Sequence, residues 1–319
     1  MSHQTIDLIS TLSALVAFPS ESSAPSASVA CMQYAEELLR TRGMAVSHHK
    51  SNGFPSLVGT TTGTKTPKIL LQAHLDVVPG RKTLCTMAEK DGKLYGRGVF
   101  DMKFAVACYM QLVEDLKHEI SDYDFGIMLT SDEEIGGEDG VGYLLEQGYG
   151  ADVCILPDGG NAWEIENASN GVWHIRLMAK GKTAHGSRPW EGVNAIEGLA
   201  RAVLEIREAF GEHNYKRSSI TVSQIKGGVA INQVPATAEA TLDMRFIDAE
   251  DYKLKRSAVE SIAKAHRLEI HELSQQDPGK IDLKDPAIAN FIKVADRIRG
   301  KPLGQARSCG SSDARFFLR

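Results

Sequence analysis

Apolar runs in the first half of the sequence end repeatedly in histidine or in carboxylic acids. Carboxylates are rarely packed side by side without a partner, because like charges repel and burial disfavours the charged form. One imidazole with several carboxylates and no thiolate is a ligand set for zinc, manganese or cobalt, and the mixture of histidine with carboxylate favours zinc. The residues at or near these positions are His74, Asp76, Asp101, Asp132, Glu133, Glu134 and Asp158.

A two-metal centre would give this set a hydrolytic chemistry. Two ions about 3.5–4 Å apart polarise a carbonyl group and lower the pKa of a bridging water toward 7. A carboxylate beside that water then acts as the general base. Of the adjacent Glu133 and Glu134, one could bind metal while the other takes the proton.

Each of these residues, taken alone, has a simpler interpretation. His74 would be a core histidine, and Asp101 would be a helix cap. The Glu133–Glu134 pair would be solvated surface, and Asp158, which precedes two glycines, would be a turn residue. Their recurrence at the ends of apolar runs favours a metal site.

The patterns around these residues predict the elements that bring them together. "KILLQAHLDVV", "FGIMLTS" and "ADVCILP" are short apolar runs typical of strands buried on both faces. "SASVACMQYAEELLRTRG" and "DMKFAVACYMQLVEDLKH" have helical patterns, and Asp101 begins the second, where a carboxylate suits the helix dipole. This alternation predicts an α/β fold with a mostly parallel sheet flanked by helices. Sites in such sheets form at the carboxyl ends of the strands.

A different pattern begins near residue 168. "GVWHIRLMAKG" alternates apolar and polar residues, and a helix, two strands, a second helix and the strand "LEIHELS" follow. That order is the split unit of ferredoxin-like α+β domains. "DPAIANFIKVADRIRG" then resumes the buried helical style of the first half. We therefore predict a discontinuous catalytic domain over 1–167 and 276–319, and an inserted domain over 168–275.

The composition sets the class of protein. Of the 319 residues, 42% are apolar and 24% are charged, which is typical of a globular protein, and the net charge of −5 argues against a nucleic-acid partner. Five scattered cysteines indicate reduced thiols and a cytoplasmic location. The sequence contains no run of about 18 apolar residues, so no membrane span is predicted. "GTTTGTKT" and "AKGKTAH" lack the spacing of a phosphate-binding P-loop.

The motifs resemble those of a known family over almost the whole chain. "HLDVVP", "LYGRGVFDMK" and "TSDEEIGG" are similar, in order and spacing, to those of the di-zinc metallopeptidase and deacylase family, and "AHGSRPWEGVNAI", "GGVAINQVP" and "LDMRF" are similar to its inserted domain. That family holds aminoacylases, acetylornithine deacetylases, succinyl-diaminopimelate desuccinylases, carnosinase-type dipeptidases and glutamate carboxypeptidases. The resemblance implies a zinc-peptidase-like catalytic domain, with an inserted domain that forms a homodimer and acts as a lid.

The resemblance also implies two zinc ions per subunit, with Co²⁺ or Mn²⁺ as alternatives. His74 and Asp158 would hold one ion, Glu134 would hold the second, and Asp101 would bridge them. Asp76 would orient His74, a role expected for a carboxylate near a ligating imidazole.

The remaining roles that the resemblance implies are catalytic and substrate-binding. Glu133 would be the general base, which activates water and later protonates the leaving amine, while Asp132 would be loop structure. His185 would stabilise the tetrahedral oxyanion, often from the neighbouring subunit. Asn232 and Arg245 would bind the substrate, since arginine can hold a carboxylate with two hydrogen bonds.

Two departures from the family pattern affect the predicted reaction. Deacylases and carboxypeptidases of the family typically have glutamate where this chain has Asp158, whereas its dipeptidases and aminopeptidases typically have aspartate. This favours a dipeptidase or aminopeptidase, with an N-acyl-amino-acid deacylase of the acetylornithine or succinyl-diaminopimelate type as the alternative.

The family's last zinc ligand is a histidine beyond "GSSDA", and no histidine follows His271 here. We therefore expect a chain truncated at its C-terminus, and a non-catalytic dimeric binding homologue is a further alternative.

Overall fold

The computed structural model describes residues 7–159, 163–212 and 214–318. Contacts divide the chain into two compact units, each described here by itself. The first unit is Met1–Trp163 with Lys284–Leu303 and Ser312–Arg319, and the second is Glu164–Leu283 with Gly304–Ser311. The domain roles that the sequence predicts, with dimerisation and a lid assigned to the inserted part, stay a prediction.

The helices and strands of the described residues follow in chain order. The α-helices are α1 (Leu8–Ala17), α2 (Pro25–Arg40), α3 (Lys103–Leu116), α4 (Tyr143–Glu146), α5 (Ala195–Phe210), α6 (Ala249–Ala265) and α7 (Pro286–Arg299). The first seven strands are β1 (Ala45–Ser51), β2 (Phe54–Thr60), β3 (Ile69–His74), β4 (Ala88–Lys90), β5 (Lys93–Tyr95), β6 (Phe125–Thr130) and β7 (Val153–Ile155). The others are β8 (Ile165–Ser169), β9 (Gly171–Lys180), β10 (Ser219–Gly227), β11 (Thr237–Phe246), β12 (Leu268–Gln276), β13 (Gly279–Lys280) and β14 (Gln305–Ser308).

The first unit contains a five-stranded sheet with the order β1-β2-β6-β3-β7. The pairs β6–β3 and β3–β7 are parallel, whereas β1–β2 and β2–β6 are antiparallel. The predicted α/β fold is confirmed, and its three predicted strands form the parallel part of the sheet. The antiparallel β1–β2 hairpin, which the sequence analysis did not predict, turns at Asn52 and Gly53, both with positive φ.

Two cores pack against the opposite faces of this sheet. Alternate residues of a strand point to opposite faces, so Leu71 and Ala73 of β3 belong to one core and Leu70 to the other. Helices α1, α2 and α3 line the first core, and α4 and Phe316 line the second. Burial on both faces explains why β3 and β6 are nearly continuous apolar runs.

The second unit contains a four-stranded antiparallel sheet with the order β10-β11-β9-β12. Together with α5 and α6 its elements run strand, helix, strand, strand, helix, strand, so the predicted ferredoxin-like order is confirmed. A smaller sheet, β13-β8-β14, completes the unit. The core lies between the helices and one face of the four-stranded sheet, and it includes Trp173, Ile175, Leu177, Leu199, Ile206, Leu242, Met244 and Val259.

Two helix predictions are wrong in detail. Asp101 does not begin α3, because the helix starts at Lys103 and the capping position is Met102, with no side-chain cap. The Asp101 carboxylate instead lies beside His74. Helix α7 forms as predicted, but none of its residues is buried. The helix is amphipathic, so only one of its sides is apolar. Phe291 and Ile298 are exposed.

The described part of the chain contains no helix that combines the length and apolar character needed to cross a bilayer.

Candidate metal centre

His74, the last residue of β3, is completely buried. Its Nδ1 lies 3.0 Å from the backbone oxygen of Asp76 and 3.4 Å from the Oδ1 of the same residue. Because these oxygens can only accept, Nδ1 carries a hydrogen, and Nε2 is the nitrogen that can bind a metal ion once it has no proton. Within the described residues, Nε2 makes no hydrogen bond.

Three carboxylates surround this nitrogen. From Nε2 of His74 the distances are 3.0 Å to Asp101 Oδ1, 4.0 Å to Glu133 Oε2 and 4.0 Å to Asp158 Oδ2. Ligand atoms of His74, Glu133 and Asp158 all lie within 4.8 Å of one another. A buried imidazole nitrogen that faces several anionic oxygens requires a positive charge between them, which either a proton or a metal ion supplies, and a divalent cation fits this donor set.

The structure also places Glu134, the remaining predicted metal ligand. Its Oε1 accepts a hydrogen bond from the backbone N–H of Val78 at 3.2 Å, and it does not belong to the group of ligand atoms around His74. The described geometry therefore brings together His74, Asp101, Glu133 and Asp158 and leaves Glu134 directly beside them in the chain.

Asp76 positions both the histidine and the glutamates. The backbone oxygen and Oδ1 of Asp76 lie beside Nδ1 of His74. The same carboxylate accepts hydrogen bonds from the backbone N–H of Glu133 at 3.3 Å and of Glu134 at 3.1 Å. These bonds fix the short 3₁₀ turn Glu133–Ile135 relative to the end of β3. One buried carboxylate thus lies beside the imidazole and also holds the backbone that carries the two glutamates.

Asp132 has a structural role, which explains why three acids occur in sequence. Its Oδ2 accepts from the backbone N–H groups of Asp139 and Gly140 at 2.8 and 2.9 Å. These donors belong to the first turn of the π-helix Glu138–Gly142, where a carboxylate is favourable. Asp132 therefore caps the next element.

The electrostatics of the centre indicate an excess of negative charge. Burial raises the pKa of Glu133 well above its usual range, and the carboxylates of Asp313 and Asp158 reinforce this against the effect of His74. Burial, with Asp101 nearby, raises the pKa of Glu134 to about 6. Burial lowers the pKa of the His74 imidazole, but Asp101 and Asp76 outweigh it, and the pKa lies well above 6.5. Protons and a cation would thus compete for the same place.

Asp313 is a buried acid that the sequence analysis did not single out. Its Oδ2 accepts from the side-chain amide of Gln72 at 3.1 Å, and Gln72 also bonds to Thr130, so Asp313 fastens the last segment to β3 and β6. Gly137 has a φ of 66°, and a Cβ there would collide with the Asp313 carboxylate. The quoted motif "GSSDA" contains this residue, so its signal was present in the sequence.

Replacing Asp76 by asparagine should weaken zinc binding by about 10–100-fold, because the two backbone N–H groups bond to different oxygens of Asp76, and asparagine has an NH₂ donor in place of one of them and no charge to support His74. Competition with a chelator of known affinity measures this. Asp132→Asn is the matched control: it weakens the cap of the following helix by ~1 kcal/mol and leaves zinc affinity unchanged. Equal zinc affinity in Asp76→Asn and the unsubstituted protein would contradict the assigned role.

In the second unit, the structure brings His185 and Asn232 together. Gly186 N donates to the backbone oxygen of Asn232 at 2.7 Å, and His185 forms a β-bridge with Gln233. Nδ1 of His185 accepts from the backbone N–H of Ser187 at 3.2 Å, so the ring hydrogen lies on Nε2 of an exposed side chain. An exposed ring N–H is the donor that oxyanion stabilisation needs.

Arg245 lies on β11, where Asp243 holds its guanidinium. Nε donates to Asp243 Oδ1 at 2.7 Å and Nη2 to Oδ2 at 3.0 Å. His174 Nε2 is 3.2 Å from the same Asp243 Oδ1. The predicted carboxylate-binding arginine is therefore paired in this structure, and binding a substrate carboxylate would require it to exchange or share that partner.

Comparisons with known proteins identify the family of this chain. The family profile described as peptidase family M20/M25/M40 matches residues 70–319. The succinyl-diaminopimelate desuccinylase of Hahella chejuensis (strain KCTC 2396) is 28% identical over 277 residues, which cover 80% of this chain and 72% of the relative. The desuccinylase of Rickettsia rickettsii (strain Sheila Smith) is 28% identical over 317 residues, covering 89% and 83%.

Solved structures share the fold at low sequence identity. A tripeptidase from Staphylococcus aureus subsp. aureus Mu50 aligns with a TM-score of 0.79 at 21% identity, covering 98% of this chain and 87% of the tripeptidase. Human carnosine dipeptidase 1 aligns with a TM-score of 0.73 at 14% identity, covering 97% and 86%. Because the family match spans most of the sequence, the chain belongs to peptidase family M20/M25/M40 and is a hydrolase of amide or peptide bonds.

Proposed function

We propose that the protein is a zinc-dependent hydrolase that cleaves the peptide bond of a short peptide with a free amino end. The observation that carries the choice of a peptide is Asp158, whose carboxylate lies 4.0 Å from Nε2 of His74. The resemblance associates aspartate at this position with dipeptidases and aminopeptidases, and glutamate with deacylases.

Four side chains would hold the metal. Nε2 of His74 and the nearby carboxylates support a site for two zinc ions, or for Co²⁺ or Mn²⁺. When bound, the ions would polarise the scissile carbonyl and lower the pKa of the attacking water. The proposed ligands are His74, Asp101, Glu134 and Asp158.

Glu133 would move the protons. Its carboxylate takes a proton from the attacking water and later gives it to the leaving amine, so the residue ends each turnover in its starting state. The hydrogen bond between its backbone N–H and Asp76 keeps this carboxylate at the end of β3 during both transfers. Burial raises the pKa of Glu133, which favours the protonated carboxyl that gives its proton to the leaving amine.

The second unit would supply substrate-binding groups and the subunit interface. The exposed Nε2–H of His185 would donate to the developing oxyanion, while Asn232 and Arg245 would bind polar groups of the substrate. The homodimer through this unit and the cytoplasmic location are proposals of the same kind, based on the family resemblance and on the scattered cysteines.

Deacylation of an N-acyl amino acid is the second candidate function. It is favoured by the two desuccinylases, which are 28% identical to this chain over most of its length. Both candidates use the same proton transfers at Glu133, and they differ in the group that lies on the acyl side of the scissile bond.

Amine release by the zinc-loaded protein distinguishes the candidates. One set of substrates contains free dipeptides, and the other contains N-acetyl and N-succinyl amino acids, including N-succinyl-diaminopimelate. We expect higher kcat/KM for the dipeptides and a shift toward the acylated set in Asp158→Glu. Preference for acylated substrates would make the protein a deacylase. No hydrolysis of either set, with zinc bound, would favour the non-catalytic alternative.

A further inference from the structure

Three aromatic side chains of the first unit contact one another, and we call them the aromatic cluster: Phe100, Phe104 and Trp163. Phe104 is half-buried against the core that α1, α2 and α3 line, and the other two rings are exposed. The ring centroids of Phe100 and Phe104 are 6.3 Å apart, and those of Phe104 and Trp163 are 5.3 Å apart in an edge-to-face arrangement. Phe100 is 50% exposed and Trp163 is 55% exposed. Large apolar rings that touch one another and remain in water are typical of a binding surface.

The aromatic cluster borders the candidate metal centre through two chain segments. Phe100 directly precedes Asp101, and Phe104 lies in the first turn of α3, three residues after it. Trp163 lies five residues after Asp158. The contact between Phe104 and Trp163 therefore joins the two segments that carry the proposed metal ligands Asp101 and Asp158.

The backbone of Trp163 is held in an uncommon conformation. Its φ is 53°, in the left-handed region that bulky residues rarely adopt. Nη1 of Arg299, the last residue of α7, donates to the Trp163 carbonyl oxygen at 3.1 Å. A strained backbone that a specific contact holds is typical of segments that present a side chain to a ligand.

We propose that the aromatic cluster is an apolar subsite that binds an apolar or aromatic side chain of the substrate, next to the scissile bond. The inference rests on the proposed function, since it assigns a substrate class to the same site. Burying an apolar side chain against the exposed rings removes apolar surface of both from water, which favours that substrate over one with glycine at the same position. A charged side chain, such as that of diaminopimelate, would lose hydration there, and the contact of an ammonium group with the ring faces would offset that loss only in part.

A substrate series tests the preference. Dipeptides with glycine, leucine, phenylalanine or lysine at each of the two positions are compared by kcat/KM, and the same amino acids are tested as N-acyl derivatives. We expect leucine and phenylalanine to exceed glycine and lysine at one of the positions by about tenfold or more. Equal kcat/KM across the series, or preference for lysine or for N-succinyl-diaminopimelate, would overturn the apolar subsite.

Substitutions assign the preference to the cluster. Trp163→Ala and Phe104→Ala should lower kcat/KM for the phenylalanine substrate about tenfold more than for the glycine substrate. Tyr215→Ala, which removes another exposed aromatic ring in the second unit, is the matched control and should leave both values unchanged. Equal losses on both substrates in Trp163→Ala would show that the ring does not select the side chain. Thermal unfolding confirms that each variant is folded.

A binding measurement separates failure of the subsite from failure of the proposed reaction. Trp173 is buried, so in a Trp190→Phe background the exposed indole of Trp163 dominates any ligand-dependent change in tryptophan emission. Titration with L-leucyl-L-leucine at pH 7 in the presence of chelator should shift this emission, and glycylglycine should not. A shift that Trp163→Phe abolishes supports the subsite even if no substrate is hydrolysed. No shift with a folded protein overturns it.

Discussion

Glu133→Gln should lower kcat by about 10³-fold while the protein keeps its metal, because glutamine cannot accept the proton that leaves the attacking water. Glutamine has nearly the same shape, so the turn that Asp76 holds and the backbone hydrogen bond at Glu133 should persist. The measurement combines single-substrate kinetics with metal content by elemental analysis. The effect should be on kcat, with little change in KM.

Glu134→Gln is the matched control, and it decides between the two glutamates. The structure places Glu133, and not Glu134, among the ligand atoms around His74, whereas the resemblance makes Glu134 the ligand. If the proposed roles are correct, Glu134→Gln loses metal and Glu133→Gln retains it. The reverse result would mean that Glu133 is the ligand and that the base is another residue.

Thermal stability of the metal-free protein should decrease as pH rises from about 5 to 8. Burial raises the pKa of Asp132 to about 6, although backbone N–H groups of Gly140 and Asp139 oppose the shift, and the pKa of Glu134 is also about 6. The folded state therefore retains protons that the unfolded chain has released above pH ~4, so these two groups lower stability between pH ~4 and ~6. Burial also raises the pKa of Glu133 to about 9 and that of Asp313 to about 8, and these two carboxyls extend the decrease to pH 8. The raised pKa of His74 acts in the same direction above pH 6.5.

Zinc should reverse this dependence. Its ligands must lose their protons to bind, so zinc binds more tightly at pH 8 than at pH 5.5. At a free concentration of 100 times Kd, bound zinc stabilises the folded state by about 2.7 kcal/mol. Thermal unfolding with chelator and with zinc, at both pH values, measures the two effects. A chelated protein that is more stable at pH 8 than at pH 5.5, or a Tm that zinc does not change, would contradict this account of the centre.

A carboxylate outside the centre does not affect this comparison. Asp243 has a lowered pKa, because its burial is outweighed by the hydrogen bonds from Arg245 and by His174. A lowered pKa contributes stability that is lost only when pH falls below about 4. The change between pH 5.5 and pH 8 therefore reports on the groups whose pKa is raised.

The convergence of His74, Asp101 and Asp158 could be predicted because each element has a strong local pattern. Short apolar runs form central strands, and parallel strands place their carboxyl ends at one edge of a sheet. The ferredoxin-like order could be predicted for the same reason, since its alternating strands and amphipathic helices differ in period.

Features that depend on tertiary contacts were harder to predict. Asp132, Glu133 and Glu134 are three adjacent acids that the sequence cannot tell apart. The structural role of Asp132 is evident only from the N–H groups of the following π-helix, which donate to its carboxylate. The burial of Asp313 depends on Gln72 in a distant strand. The β1–β2 hairpin is different, because Asn52–Gly53 is a recognised turn signal between two extended segments, so the sequence did contain the information.

The two-sided burial of β3 makes the catalytic chemistry sensitive to the length of that strand. Leu70, Gln72 and His74 share one face, while Leu71 and Ala73 enter the helical core on the other. Deleting a single residue within Ile69–Ala73 would exchange these faces. The imidazole would then point into the helical core, and a leucine would point toward the carboxylates of the candidate metal centre. The strand therefore tolerates substitutions of similar shape but no change of length. In any homologous or designed enzyme with this centre, each residue before the histidine must stay on the same face of the strand.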